Sequence, residues 1–257
     1  MTGLTKDYYL PRLGFIPAVK SPTRFEDKFG GLPWGVSRER WPRCAHCGSV
    51  QSLLTQLRHD PPMLDLGRAG RILYVFQCAR WHENGCDSFD PASGANACFV
   101  LEPEEFCNDG PVDGDASRLA HLETRVLSWE RHVETFRDRF AGDYFDPKKW
   151  RTVPIDERWA ISGVTKLGGI PFWGNVGPSD IPAGNWRFVL QMSDYHFIPG
   201  DLSEAAAVYL SAMNMPLLRD KSRAGWKCPW ANFGQGVGYV FLSEKEPIKG
   251  VFAWQRL

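Results

Sequence analysis

The heptapeptide Lys28-Phe29-Gly30-Gly31-Leu32-Pro33-Trp34 returns as Lys166-Leu167-Gly168-Gly169-Ile170-Pro171-Phe172. The order basic, apolar, Gly-Gly, apolar, Pro, aromatic is kept at all seven positions. A pattern that recurs within one chain marks two copies of one structural unit, which confines the fold to arrangements that can be built twice. Paired glycines admit positive φ or a close backbone approach. The proline two residues on fixes its own φ and pushes the residue before it towards an extended conformation, so each copy reads as a tight turn feeding a strand. Later segments echo in the same order. Trp41 followed by Leu53-Leu54-Thr55-Gln56 is matched by Trp186 followed by Phe188-Val189-Leu190-Gln191. Ile72-Leu73-Tyr74-Val75-Phe76 is matched by Gly238-Tyr239-Val240-Phe241-Leu242, and Ala97-Cys98-Phe99-Val100-Leu101 by Val251-Phe252-Ala253-Trp254.

The expected fold is α+β: two related antiparallel β units in one globular body spanning 1–257, with a long amphipathic helix packed across them. The first unit runs over 20–110 and the second over 151–257. The connector 111–150 holds an acidic loop and the helix. Glu104, Glu105, Asp109, Asp113 and Asp115 lie among Pro103, Gly110, Pro111 and Gly114, a loop composition. Leu119, Leu122, Val126, Trp129, Val133, Phe136 and Phe140 then recur at three- and four-residue steps, with Ser117 to cap the start and Gly142 to end it. Two Phe and one Trp on that stripe suit a sheet surface better than a coiled-coil seam. A second, alanine-rich helix is expected over Leu202 to Leu210.

With 257 residues and 43% hydrophobic composition the chain can bury a substantial core. Its 30 basic and 30 acidic residues give a formal net charge of +0, so the broad cationic footprint of a nucleic-acid or anionic-membrane binder is missing. Arg38, Arg40 and Arg43 read as solvated surface. Met1 to Val19 mixes Lys6, Asp7 and Arg12 with Pro11 and Pro17 and lacks the apolar centre of a signal peptide. No apolar run reaches membrane-spanning length, and the expected compartment is the cytoplasm.

Seven cysteines in such a chain point to metal ligands or free thiols. Cys44-Ala45-His46-Cys47-Gly48 is a compact knuckle, and Cys78 and Cys86 supply a second pair. Zinc sites of the ribbon type take two thiols from each of two turns, because a tetrahedral ion needs four convergent ligands. The expected ligand set is Cys44, Cys47, Cys78 and Cys86, with His82 as the alternative fourth ligand and His46 as a lesser one. Such a closed set would be structural and would leave no position for substrate.

Catalytic patterns are absent: there is no nucleophile elbow, no zincin helix and no pair of histidines at helical spacing. His59 beside Asp60 and His196 near Asp194 are what a hydrolase-type alternative would have to use. Gly234-Gln235-Gly236-Val237-Gly238 lacks both nucleotide-loop spacings and precedes a strand where a helix is needed. Eleven tryptophans stand out. Trp34, Trp173, Trp226 and Trp230 lie in Gly/Pro-rich stretches, where a large aromatic is either a lid on the core or an interface anchor. The expected function is therefore a non-catalytic protein-binding module with structural zinc. Nucleic-acid binding through the zinc ribbon is a weaker alternative.

The Lys-aromatic-Gly-Gly-x-Pro turn, the Leu-x-Gln strand, the Leu-Tyr-Val-Phe strand and the closing Phe252-Ala253-Trp254-Gln255 resemble the YwqG-like family, bacterial proteins of unknown function. The first half also resembles the programmed cell death protein two family. It does so through Lys28 to Pro33, Trp41 to Gly48 and Leu73 to Cys78; taken together, the resemblance covers about Phe25 to Leu101 and Thr165 to Gln255 and leaves out Leu119 to Phe140. Members of that second family are dedicated chaperones of a small-subunit ribosomal protein, and some YwqG-like proteins lie near toxin genes. The resemblance implies a duplicated β-rich fold and a protein-binding role, chaperone-like or as a toxin-immunity protein. The wide Cys78 to Cys86 spacing departs from the pattern.

Overall fold

The structure, a computed structural model, describes residues 3–15, 24–80, 85–107, 121, 123–137, 145–146, 149–156, 164–173, 185–199, 218–220 and 225–256. Ten strands form one antiparallel sheet. In chain order they are β1 (Gly3–Phe15), β2 (Lys28–Phe29), β3 (Ser52–Arg58), β4 (Ile72–Gln77), β5 (Asn96–Leu101), β6 (Thr124–Arg137), β7 (Lys166–Gly168), β8 (Trp186–Ser193), β12 (Gly236–Ser243) and β13 (Gly250–Arg256). Strands β9 (Tyr195–Pro199), β10 (Leu218–Asp220) and β11 (Gly225–Pro229) make a separate small sheet in the order β10-β11-β9.

The large sheet runs β13-β12-β8-β7-β1-β6-β2-β3-β4-β5. At its centre β1 and β6 pair along their whole length, from Gly3 opposite Arg137 to Phe15 opposite Thr124. Outward from this ribbon the first half adds β2-β3-β4-β5 and the second adds β7-β8-β12-β13. The outer strands β5 and β13 come back together, where Gly250 abuts Cys98, and the sheet is a nearly closed barrel.

Side-chain alternation, with a packed layer on each side, explains why β4 and β12 are apolar on both faces. In β4, Leu73 and Val75 point into the barrel while Ile72, Tyr74 and Phe76 join an outer layer with Leu32, Val36 and Trp41. In β12, Val240 and Leu242 point inward while Val237, Tyr239 and Phe241 meet Trp150, Ile170 and Trp173 outside. The inner core draws on both halves, with Phe29, Leu54, Leu57, Met192, Trp230, Phe233, Phe252 and Trp254 among its members.

The two copies share polar fastenings as well as strands. Gly30 and Gly31 (φ 68 and 71) and Gly168 and Gly169 (φ 67 and 71) all take the left-handed conformation. Gln56 accepts from the Trp34 amide at 2.8 Å, as Gln191 does from the Phe172 amide at 2.7 Å. The Tyr74 hydroxyl donates to the Trp34 carbonyl at 2.6 Å and the Tyr239 hydroxyl to the Phe172 carbonyl at 2.7 Å. Each turn lysine is buried against a glutamate: Lys28 Nζ stands 2.9 Å from Glu123, and Lys166 Nζ stands 2.5 Å from Glu134. Even the register irregularity recurs, leaving Leu54 unmatched in the β3–β4 pair and Val189 unmatched in the β8–β12 pair.

The α+β expectation is corrected: the protein is all-β, and no helix of seven or more residues occurs among the described residues. The stretch expected to form the long helix is strand β6 over Thr124–Arg137. The helical appearance has a physical source. Arg12 pairs with Ser128 and Leu13 with Val126, so Leu127 is a β-bulge. That extra residue puts Val126 and Trp129, three apart, on the same inner face. Val133 is 53% exposed, while Phe136 is buried in the outer layer, so the remaining apolar positions do not form one stripe. Ser117, Leu119, Leu122, Phe140 and Gly142 lie outside the described residues, as does the expected helix from Leu202 to Leu210. Of the acidic loop, Pro103–Glu105 forms one 3-10 turn, and residues beyond 107 lie outside the described set.

Candidate metal centre

The knuckle is shaped by its backbone. The Cys44 amide donates to the Ser49 carbonyl and the Gly48 amide to the Cys44 carbonyl, each at 2.9 Å, and Gly48 has φ 69. A Cβ there would meet nothing within 4 Å, so the glycine serves the left-handed turn itself. Cys78 follows directly on β4, with its amide held by the Ala95 carbonyl at 2.8 Å. The Ala45 amide donates to the Gly94 carbonyl at 3.0 Å, which draws the knuckle onto the loop that enters β5. Cys86 comes from the loop between β4 and β5, and the Ser88 amide donates to its carbonyl at 2.8 Å.

These elements bring Cys44, Cys47, Cys78 and Cys86 together, with all four Sγ atoms within 4.8 Å of one another. Cys44, Cys78 and Cys86 are buried and Cys47 is half-buried. Cys47 Sγ lies 3.7 Å from Cys78 Sγ. Zinc–thiolate bonds of about 2.3 Å in a tetrahedron imply sulfur–sulfur edges of about 3.8 Å, so the four thiols form a buried cluster able to hold a metal ion such as zinc. His82, the alternative ligand, lies outside the described residues, and His46 is exposed.

The thiols differ in proton affinity. Burial pushes the Cys47 thiol up, but hydrogen bonds from the Ser49 hydroxyl and amide, and from Cys78 and Cys86, outweigh it and bring it down to about 6. Burial pushes Cys86 up to about 11 and raises Cys78 as well. One site thus favours a thiolate that neighbouring thiols solvate. A divalent cation at the centre of the four would favour ionisation of them all.

The candidate histidines are engaged elsewhere. His59 Nδ1 accepts the Leu66 amide at 2.8 Å, which fixes the turn after β3. His196 is buried, stacked on Trp230 with ring centroids 4.3 Å apart, and both its ring nitrogens lack a hydrogen-bond partner. The four tryptophans separate by burial. Trp173 and Trp230, 2% and 1% exposed, belong to the outer and inner cores. Trp34, half-buried, packs between Phe25 and Phe106, and Trp226 is half-buried on the small sheet. Of the basic residues near the knuckle, Arg40 pairs with Glu105 at 2.6 Å and Arg43 donates to the Gly48 carbonyl at 3.1 Å.

Sequence reasoning missed Ser49 and Ser88. Neither carries a spacing signal, and only the folded loops place one against Cys47 and the other between the two halves. Comparison with family models, with curated proteins and with solved structures finds no match. No described helix is long and apolar enough to cross a membrane.

Proposed function

We propose that this chain is a non-catalytic protein-binding scaffold stapled by one structural zinc ion at Cys44, Cys47, Cys78 and Cys86. The observation that carries the metal half of this reading is the convergence of four sulfurs within 4.8 Å, three of them buried. Four thiolates complete a tetrahedron and leave no coordination position for water or substrate, so the ion contributes folding energy and not chemistry. The binding half is supported by a barrel interior filled with side chains, which directs recognition to the outer surface. It is supported too by the family resemblance, which favours a dedicated protein partner in a chaperone-like or toxin-immunity role. His59 and His196, the residues a hydrolase would use, serve a turn and the core.

Elemental analysis of the purified protein tests the metal half. About one zinc per chain is expected, and Cys44→Ser or Cys78→Ser should abolish it. A metal-free wild type that takes up no added zinc overturns the site. For the binding half, candidate partners recovered with the zinc-loaded chain are purified and titrated against it. Saturable binding to one protein supports the scaffold, and turnover of a small substrate by the isolated chain refutes it.

A further inference from the structure

The barrel closes without a backbone ladder between its outer strands: the sheet ends at β5 and β13, and among the described residues no pairing joins them. Side chains hold the seam. At one end Arg71 from β4's entry bridges Glu102 at 2.7 Å and Glu246, beside β13, at 2.5 Å. In the middle Gly250 lies so close to Cys98 that an added Cβ would stand 2.4 Å from its sulfur. At the other end the fastening is Ser88. Its hydroxyl accepts from Gln77 at 3.1 Å and from the Trp254 indole of β13 at 3.2 Å. Gln77 also donates to the Asn232 carbonyl at 3.1 Å, and the Phe89 ring stands edge-on to Trp254.

At the Ser88 end, both residues whose side chains hydrogen-bond the second half adjoin the candidate metal ligands. Gln77 precedes Cys78, and Ser88 follows Cys86 by two positions, its amide bonded to the Cys86 carbonyl. Ser88 is fully buried, and its carbonyl accepts from Asn96 at the start of β5 at 2.9 Å. We infer that the metal site is the clasp of the barrel: metal bound at the four thiols orders the loop that carries Ser88, and Ser88 holds β13 against β5. The inference rests on the structural-zinc reading. It adds that metal loss in the first half opens the seam to the second, whose own strands carry no described ligand. Local opening of this kind is governed by the contacts that must break, here side-chain hydrogen bonds, the Arg71 ion pairs and the packing of Phe252 and Trp254, with no ladder among the described residues.

Cys98 reports the seam, because its sulfur faces Gly250 and it is not a ligand. The protein is exposed to a thiol reagent with and without a zinc chelator, and each cysteine's labelling rate is read by peptide mass. Metal content is measured on the same samples. Chelation should speed labelling of Cys98 together with the four ligand thiols. Ser88→Ala, with its zinc retained and its four ligand thiols still protected, should speed Cys98 about fivefold, the worth of the one hydrogen bond that Ser88 makes across the seam to Trp254. Trp254→Phe should do the same, and these two variants decide the matter if the chelated protein unfolds throughout. Zinc-loaded variants whose Cys98 labels at the wild-type rate overturn the clasp and leave the zinc reading intact. Ligand thiols that label freely in untreated protein unable to take up zinc overturn both.

Discussion

At the scale of single residues, the two halves solve the same problem with partners drawn from far away in sequence. Lys28 and Lys166 are fully buried, and burial lowers the pKa of each while the facing Glu123 or Glu134 opposes the shift. The lysines were legible as repeat positions. Their glutamates, 95 and 32 residues distant, carry no local signal at all. The knuckle was legible because tetrahedral coordination dictates its spacing before any fold exists. Two histidines, His196 buried and His121 half-buried, were not. His121 and His196 both lie beside Trp230, and burial lowers His121 to about 4 and His196 well below its ordinary value. Below pH 6.5 the unfolded chain takes up protons on both, whereas the folded chain does not until about 4 for His121. Their contribution is therefore complete above pH 6.5 and is lost as the pH falls from there. Burial raises Asp194 from 3.8 to about 6, and acidification through that window returns some stability. Two histidines outweigh one carboxyl. The urea midpoint should fall as pH drops from 6.5 to 5, and His196→Phe, which keeps the stack on Trp230, should make that fall shallower. An unchanged slope would show that His196 titrates alike in both states.

At the scale of elements, strands β3, β4, β12 and β13 were readable because each is a short apolar run between turn residues. Strand β1 was not, since its Lys6, Asp7, Pro11 and Arg12 break any apolar period. The sequence of strand β6 resembles a helix because a bulge at Leu127 imitates the three-residue step, and only pairing with β1 reveals it. The repeated turn makes a sharper demand than composition conveys. Gly31 needs positive φ, and a Cβ there would also stand on the Glu123 carboxylate, displacing the partner of Lys28. Gly48 needs positive φ but faces open space. Gly48→Ala should cost about 1 kcal/mol, the left-handed strain alone. Gly31→Ala should cost about 3 kcal/mol or more, because a buried ion pair is disturbed as well. Chemical denaturation of the two variants side by side makes the comparison, and equal losses would mean that the Lys28–Glu123 pair adjusts freely.

At the scale of the whole molecule, the two halves carry matching strand sets but share one interior. Phe29, Leu54, Leu57, Leu73 and Val75 from the first half share the inner core with Leu167, Leu190, Met192, Val240, Leu242, Phe252 and Trp254 from the second. Each half is a curved sheet with one wall of that core missing. The central ribbon adds a further dependence: β1, at the start of the chain, pairs with β7 of the second half, while β6, from the connector, pairs with β2 of the first. A fragment covering 1–110 would keep the four thiols yet lose β6 and half of the inner core. One covering 151–257 would keep β7 without β1. Exposing so much apolar surface should leave neither fragment able to fold alone, even with the metal added to the first. Expressed separately, each should show no cooperative thermal transition and little dispersion of its amide resonances. The intact chain should show both. If 1–110 folded cooperatively with zinc, the metal and the outer layer around Tyr74 and Phe76 would suffice for one copy, and the shared interior would be a consequence of joining two stable units.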